Sequence, residues 1–196
     1  MSDDVDRREL DRLALASTDR VVGELTDAHL DLPTPCGAWR VRDLLVHMMG
    51  EHRGFAAAAR GEAPDPAVWA GAPLGDDPRA QYRRAAAEVT AAFDADGMLD
   101  RTPVLHPYGP LPARTVLGMH FVDYLVHGWD LARSLGVPSD LDEALSTEAL
   151  AIALRWPPER PSPAFGVVVE TDPAAPTGDR LVAYLGRDPR WQPSDR

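Results

Sequence analysis

Apolar residues recur every three or four positions along most of the chain, and this spacing predicts amphipathic helices rather than strands. The first such stretch is residues 4–29, where leucines and valines carry the period. The pattern then returns over residues 40–60, 77–93, 113–135 and 141–155, with a shorter helix near 179–185. The sequence therefore predicts an all-α protein with four main helices and a fifth that follows them.

The 19 prolines of the chain cluster between these periodic stretches, where they end helices by removing a backbone donor. Breaks of this kind are predicted at residues 30–39 and 96–113, the second with a short extended segment around 104–106. The connection at residues 61–78 is longer than neighbouring antiparallel helices need. We therefore expect a four-helix bundle with a long crossover between helices 2 and 3.

Composition and charge narrow the classes of function. With 20 basic and 31 acidic residues the net charge is −11, and a nucleic-acid partner is not expected because no basic surface is present to meet phosphates. No stretch has the roughly 18 apolar residues of a membrane span, and the acidic start lacks the apolar core of a signal peptide. We therefore expect a cytoplasmic protein. The one cysteine, Cys36, rules out an intramolecular disulfide.

Three side chains on two helices predict a metal site. Asp123 and His127 lie four residues apart on one helix and so share a face, and His47 lies on an apolar stretch of the second helix. Two imidazoles and one carboxylate around an open position are typical of a catalytic site for Zn²⁺ or a similar ion. The spacing alone also fits a hydrogen-bonded core histidine and a solvent-side Asp–His contact.

Five further residues could surround this site, and each has a plainer interpretation. Asp43 could orient His47 or cap its helix, and Glu51, four residues after His47, could line the site. His120 lies one turn before Asp123 and could be a fourth ligand or line the site, although we favour no catalytic role for it. Asp130 could orient His127 or bind a backbone amine. Cys36 could be a reactive thiol or, as we favour, a small buried residue.

Two motifs carry a resemblance to a known family. The segments "TPCGAWRVRDLLVHM", ending one residue after His47, and "DYLVHGWDLARSLG", starting at Asp123, resemble the mycothiol-dependent maleylpyruvate isomerase-like family of DinB/YfiT-like metal-binding bundles. The tail "DRLVAYLGRDPRW" is similar to the ending of an uncharacterised actinobacterial subfamily. This resemblance implies an up-down-down-up bundle over residues 1–158, a C-terminal extension with a short helix over 159–196, and a homodimer.

The resemblance also implies a chemistry. His47, Asp123 and His127 match the family's ligands for a divalent metal, Zn²⁺ first with Ni²⁺ or Fe²⁺ as alternatives. Mycothiol would be the cosubstrate, and the activity an S-transfer or isomerisation of a small electrophile. This chain departs from the isomerase in two ways. The isomerase has glutamate at the position of Asp123. The isomerase also has a second domain, and too few residues follow the fifth helix of this chain to form one. There are two alternatives to an enzyme. One is a bundle that binds a metal or a small ligand without catalysis, and the other is a structural bundle that binds no metal.

Overall fold

The computed structural model describes residues 6–63, 65–139, 141–156 and 165–193. Within them the helices are α1 (Arg7–Gly23), α2 (Val41–Arg60), α3 (Pro66–Trp69), α4 (Pro78–Asp94), α5 (Ala113–Leu135), α6 (Glu143–Ala153) and α7 (Thr177–Tyr184). Single 3-10 turns lie at Asp27–His29 and Met98–Asp100. Strands β1 (Val104–Leu105) and β2 (Gly109–Pro110) form an antiparallel hairpin in which Val104 lies opposite Pro110.

Local hydrogen bonds and backbone conformations determine where the helices begin and end. At the start of α2 the Arg40 amide donates to Asp43 Oδ2 at 2.9 Å. Its end is Gly61, whose φ of +78° is a left-handed conformation that glycine adopts without steric cost. Helix α1 is shorter than predicted and ends at Gly23. Beyond Gly23 the apolar pattern still marks buried positions, since Leu25 is in the core without being helical.

The four long helices pack in the ring order α1, α5, α2, α4, which differs from their order along the chain. The long connection after α2 contains α3, which lies directly on α2. Gly54 makes this close approach possible, because a Cβ there would lie 2.3 Å from the Trp69 ring. The predicted crossover and non-sequential packing are therefore present, with one helical turn inside the crossover.

Helices α1 and α5 also approach closely, at the level of His127. A Cβ on Gly128 would lie 2.4 Å from Thr18 Oγ1, so any other residue here would force the Thr18 side chain to shift. The Thr18 hydroxyl donates to the backbone carbonyl of Tyr124 at 3.0 Å and links the two helices. The glycine that interrupts the polar pattern of α5 thus sets the distance between α1 and α5 beside the site.

The C-terminal segment packs on the bundle through α7. Leu181, Val182 and Leu185 are fully buried in one core cluster with residues of α1, α5 and α6, among them Phe121. The part of the chain that the structure describes contains no helix long and apolar enough to cross a membrane.

Candidate metal centre

His47, Asp123 and His127 converge between α2 and α5. Each offers one ligand atom, and these three atoms lie within 4.8 Å of one another. His127 Nε2 is 3.4 Å from Asp123 Oδ1, and the two imidazole rings meet edge to face with centroids 5.1 Å apart. The three residues that the sequence singled out therefore form one group at the interface of two facing helices.

This group lies at the boundary between core and solvent and has a free acceptor. The exposed fractions of the side chains are 28% for His47, 21% for Asp123 and 7% for His127. Asp123 Oδ2 is buried and has no hydrogen-bond partner among the described residues. A buried carboxylate oxygen without a donor is costly unless a cation satisfies it. The donor set, two nitrogens and one oxygen, fits Zn²⁺ and similar ions.

Glu51 lines the group one helical turn after His47. Its Oε1 is 3.8 Å from His47 Nδ1. Burial, reinforced by the nearby Asp123 carboxylate, raises the pKa of Glu51 to about 8. Burial, together with the charge of His127, lowers the pKa of His47 to about 4, so this imidazole is neutral near pH 7. The neutral form is the one that can bind a metal.

Behind His127 lies a second set of polar side chains, formed by Asp130, Arg187 and Cys36. Asp130 Oδ2 is 3.0 Å from His127 Nδ1 and accepts from Arg187 Nη2 at 3.0 Å and from the Cys36 thiol at 3.0 Å. Arg187 Nε lies 3.3 Å from both Asp130 oxygens. Asp130 is fully buried, and its described side-chain partners are His127, Arg187 and Cys36.

The charges of this second set stabilise each other. Burial alone would raise the pKa of Asp130, but Arg187 and His127 outweigh it and hold that pKa well below its usual range. Burial likewise opposes the charge on His127, yet Asp123 and Asp130 raise the pKa of the imidazole well above 6.5. In the absence of a metal, His127 is thus an imidazolium between two carboxylates.

Cys36, His127 and Asp130 are also close enough to form a metal-ligand group, and the structure distinguishes it from the first. The Arg187 guanidinium contacts two of the three, since its Nη2 also lies 3.6 Å from Cys36 Sγ. A fixed positive charge there opposes a bound cation, and Asp130 already has its donors. The free acceptor belongs to the group of His47, Asp123 and His127, which is therefore the better candidate.

Comparison with known proteins connects this geometry to a family. The family model for the mycothiol maleylpyruvate isomerase N-terminal domain matches residues 12–132, a range that begins within α1, ends in the last turn of α5 and contains all three candidate ligands. The chain belongs to this family. Two curated relatives from Mycobacterium tuberculosis, the uncharacterised proteins Rv0738 and MT0763, are each 34% identical over 166 residues. The match spans 81% of this chain and 85% of each relative.

Solved structures show the fold. Mycothiol-dependent maleylpyruvate isomerase matches with a TM-score of 0.58 and its histidine-to-alanine mutant with 0.61, each at 18% identity. Each match covers 74% of this chain and 66% of the isomerase chain, slightly less than two thirds of it. The predicted all-α bundle of the DinB-like type is thus confirmed, and the isomerase family that the motifs indicated is the right one.

Some of the remaining residues that the sequence singled out contact the three candidate ligands, and others do not. Asp130 contacts His127, which agrees with the interpretation that it orients this imidazole. Asp43 caps α2 through the Arg40 amide, which supports the capping interpretation. Burial, reinforced by the Asp130 charge, raises the pKa of Cys36, so the thiol stays protonated and a reactive thiolate is not favoured.

His120 is the exception, because it contacts other residues in the core. Its Nδ1 lies 2.6 Å from Asp11 Oδ1, and its Nε2 lies 3.1 Å from His52 Nδ1. All three side chains are buried. The sequence left the role of His120 open and favoured no catalytic role, and its described polar partners are Asp11 and His52.

Two aromatic residues lie near the candidate ligand group. The Trp39 ring, partly exposed, is 4.7 Å from the His47 ring. Tyr108, at the turn of the β1–β2 hairpin, is half-exposed, and burial together with the charges of Glu51 and Asp123 raises its pKa. Trp39 and Glu51 therefore both lie beside His47, and Tyr108 is close enough for the charges of Glu51 and Asp123 to affect its pKa.

Sequence reasoning missed Arg187 and Asp11. Arg187 lies in a tail that no periodic pattern connects to α5, and the only signal was the resemblance of that tail to a subfamily ending. Asp11 follows Leu10 on α1 and is buried with it. A carboxylate at a core position of an amphipathic helix was a signal that could have predicted a buried partner.

Proposed function

We propose that the protein binds a divalent metal ion through His47, Asp123 and His127 and acts as a thiol-dependent S-transferase or isomerase on a small electrophile. Mycothiol is the proposed cosubstrate, as in the isomerase whose fold it shares. The observation that carries the proposal is the three-ligand group with the buried, unpartnered oxygen of Asp123. Membership of the family supports the thiol. Zn²⁺ is the first candidate metal, with Ni²⁺ or Fe²⁺ as alternatives.

A bound divalent ion would act as a Lewis acid that favours thiolate over thiol near neutral pH. The neutral His47 imidazole is ready to bind, and Asp123 supplies an oxygen ligand. His127 is protonated without the metal, so binding would displace its Nε2 proton while Asp130 keeps accepting from Nδ1. Trp39 and Tyr108 would border an organic substrate with aromatic surface.

Metal content is the first test. We expect elemental analysis of the purified protein to find about one zinc or related ion per chain. Both His47→Ala and His127→Ala should reduce that content to background. His29→Ala is a matched control, because His29 lies in the 3-10 turn after α1 and should leave the content unchanged. Wild-type protein that neither retains nor takes up a divalent ion would overturn the proposal.

Thiol chemistry is the second test. We expect mycothiol consumption with a generic electrophile to exceed that with glutathione, to stop on addition of a chelator, and to return when Zn²⁺ is restored. Metal binding without turnover across a panel of electrophiles would contradict the enzymatic part. It would identify a bundle that binds a metal or small ligand without catalysis.

A further inference from the structure

We propose that Arg187 is a positioning residue for the metal centre, acting through Asp130 on His127. The C-terminal segment after α6, which carries Arg187, would then contribute to metal binding. This inference rests on the proposed function, since it concerns how well the three-ligand group binds a metal. It assigns a role to a residue outside the matched range 12–132.

The position of Arg187 is fixed by its own segment. The Arg187 amide donates to the Val182 carbonyl at 2.9 Å, and Nη1 donates to the Leu185 carbonyl at 2.8 Å. The residue is buried, and Leu181, Val182 and Leu185 of the same segment lie in the core. The guanidinium thus enters the site from a packed element and not from a free tail.

The nitrogens Nε and Nη2 of the guanidinium contact the Asp130 carboxylate. Nη2 donates to Oδ2 at 3.0 Å, and Nε lies 3.3 Å from each oxygen, so the planar donor fork contacts the carboxylate through two nitrogens. His127 Nδ1 and the Cys36 thiol both contact Oδ2, and among the described contacts only Arg187 also reaches Oδ1, so its fork fixes the plane of the carboxylate. Oδ2 then lies 3.0 Å from His127 Nδ1.

The consequence concerns which nitrogen of His127 faces the ligands. Asp130 accepts from Nδ1, so Nε2 is directed to Asp123 at 3.4 Å and to the open side of the centre. Ligand histidines whose second nitrogen is held by a carboxylate bind metals more tightly, and loss of such a partner costs about 10- to 100-fold in affinity. Arg187 acts one contact further out by holding that carboxylate.

A purely electrostatic role for Arg187 predicts the opposite result. A positive charge near the centre repels a cation, so its removal would strengthen metal binding. A positioning role predicts that its removal weakens metal binding, because Asp130 loses its orientation. The sign of the change in affinity therefore separates the two roles.

The experiment measures the Zn²⁺ affinity of full-length variants by competition with a chromogenic chelator. We expect Arg187→Gln to weaken binding about tenfold or more, and Arg187→Lys, which keeps the charge but loses the fork, to lie between Arg187→Gln and wild type. Arg190→Gln is the matched control, because Arg190 is exposed and pairs with Asp188. Unchanged or tighter binding by Arg187→Gln would overturn the proposal.

A double-mutant cycle tests whether Arg187 acts through Asp130. In an Asp130→Asn background, Arg187→Gln should weaken Zn²⁺ binding little further, whereas fully additive losses would contradict the proposed route. The visible spectrum of the Co²⁺-loaded protein should change in Arg187→Gln and in Asp130→Asn and stay unchanged in Arg190→Gln. Thermal unfolding of each metal-free variant ensures that binding is measured on folded protein.

The outcomes separate this inference from the proposed function. If the wild-type protein binds no Zn²⁺, Co²⁺ or Ni²⁺, both proposals are wrong. If the wild type binds and Arg187→Gln binds equally well with an unchanged Co²⁺ spectrum, only the positioning role is wrong. Should Arg187→Gln fail to fold, Arg187→Lys decides, since wild-type affinity in that variant would exclude a need for the fork.

Discussion

Helices α2 and α5 meet at two histidine pairs with the same composition and different surroundings. The outer pair, His47 and His127, has Asp123 as its carboxylate, and the inner pair, His52 and His120, has Asp11. The two histidines are five residues apart on α2 and seven residues, nearly two turns, apart on α5. By residue type alone, either group could bind a metal.

The hydrogen bonds distinguish the two groups. In the inner group the polar atoms contact each other, with His120 bonded to both Asp11 and His52. The His52 ring also stacks on Tyr124 with centroids 3.8 Å apart, and burial lowers its pKa well below 6.5. Each group leaves one polar atom without a partner among the described residues: His52 Nε2 in the inner group, which is fully buried, and Asp123 Oδ2 in the outer group, whose side chain is 21% exposed. A metal site needs ligand atoms that are accessible from solvent and are not already hydrogen-bonded. Most polar atoms of the inner group are hydrogen-bonded to each other.

The largest expected difference between the two pairs is in metal binding. His127→Ala should weaken Zn²⁺ binding by more than 100-fold, because it removes a ligand outright. His120→Ala should leave the affinity within a few-fold of wild type. Isothermal titration of both variants checks this. A loss of affinity in His120→Ala comparable to that in His127→Ala would mean that the two groups work as one.

The inner pair should matter for stability instead. We expect His120→Leu to lower the free energy of unfolding by about 3 kcal/mol, because Asp11 would remain buried without its partner. Urea unfolding of the metal-free protein measures the loss. The double variant Asp11→Leu/His120→Leu should recover part of it, since no buried charge remains. A double variant less stable than His120→Leu would show that the carboxylate is not the cause.

Asp123 is the next test, because the isomerase that the motifs resemble has glutamate there. Asp123→Asn should weaken Zn²⁺ binding at least tenfold by removing the negative charge of the ligand. Asp123→Glu keeps that charge and should stay within about tenfold of wild type. Chelator competition resolves both changes. Equal affinities for Asp123→Asn and wild type would exclude Asp123 as a ligand.

The smallest effect is expected at Tyr82, which contacts the inner pair. Its hydroxyl is buried and has no hydrogen-bond partner among the described residues, and its ring centroid lies 5.2 Å from that of His52. Tyr82→Phe should therefore change the free energy of unfolding by less than about 1 kcal/mol and leave metal binding unchanged. Thermal unfolding checks this, and a large destabilisation would reveal a bridging water held by the hydroxyl.

Much of the fold followed from periodicity. The predicted helix at residues 113–135 has the bounds of α5, and the predictions near 40–60 and 77–93 differ from α2 and α4 by a residue. The first helix was predicted too long, because Leu25 and Leu30, on either side of the 3-10 turn after Gly23, still pack on the core. Periodicity reports burial, and a packed loop after a helix can continue the same pattern.

The site was predictable only where helical spacing applied. Asp123, His127 and Asp130 share one helix, so their neighbourhood follows from sequence separation. Arg187 reaches Asp130 through tertiary packing across 57 residues, and Asp11 reaches His120 across 109. No local pattern encodes those distances. The same limit applies to His52 and His120, whose contact depends on how α2 and α5 are placed against each other.

The shared oxygen of Asp130 also has a consequence for how the molecule forms. Two donors share this oxygen, Cys36 and Arg187, and they are separated by 151 residues along the chain. Closing contacts of such long range is slow compared with forming local helices. During synthesis, which proceeds from the N-terminus, the bundle helices can assemble before Arg187 has emerged from the ribosome. Completion of the centre would therefore mark the end of folding.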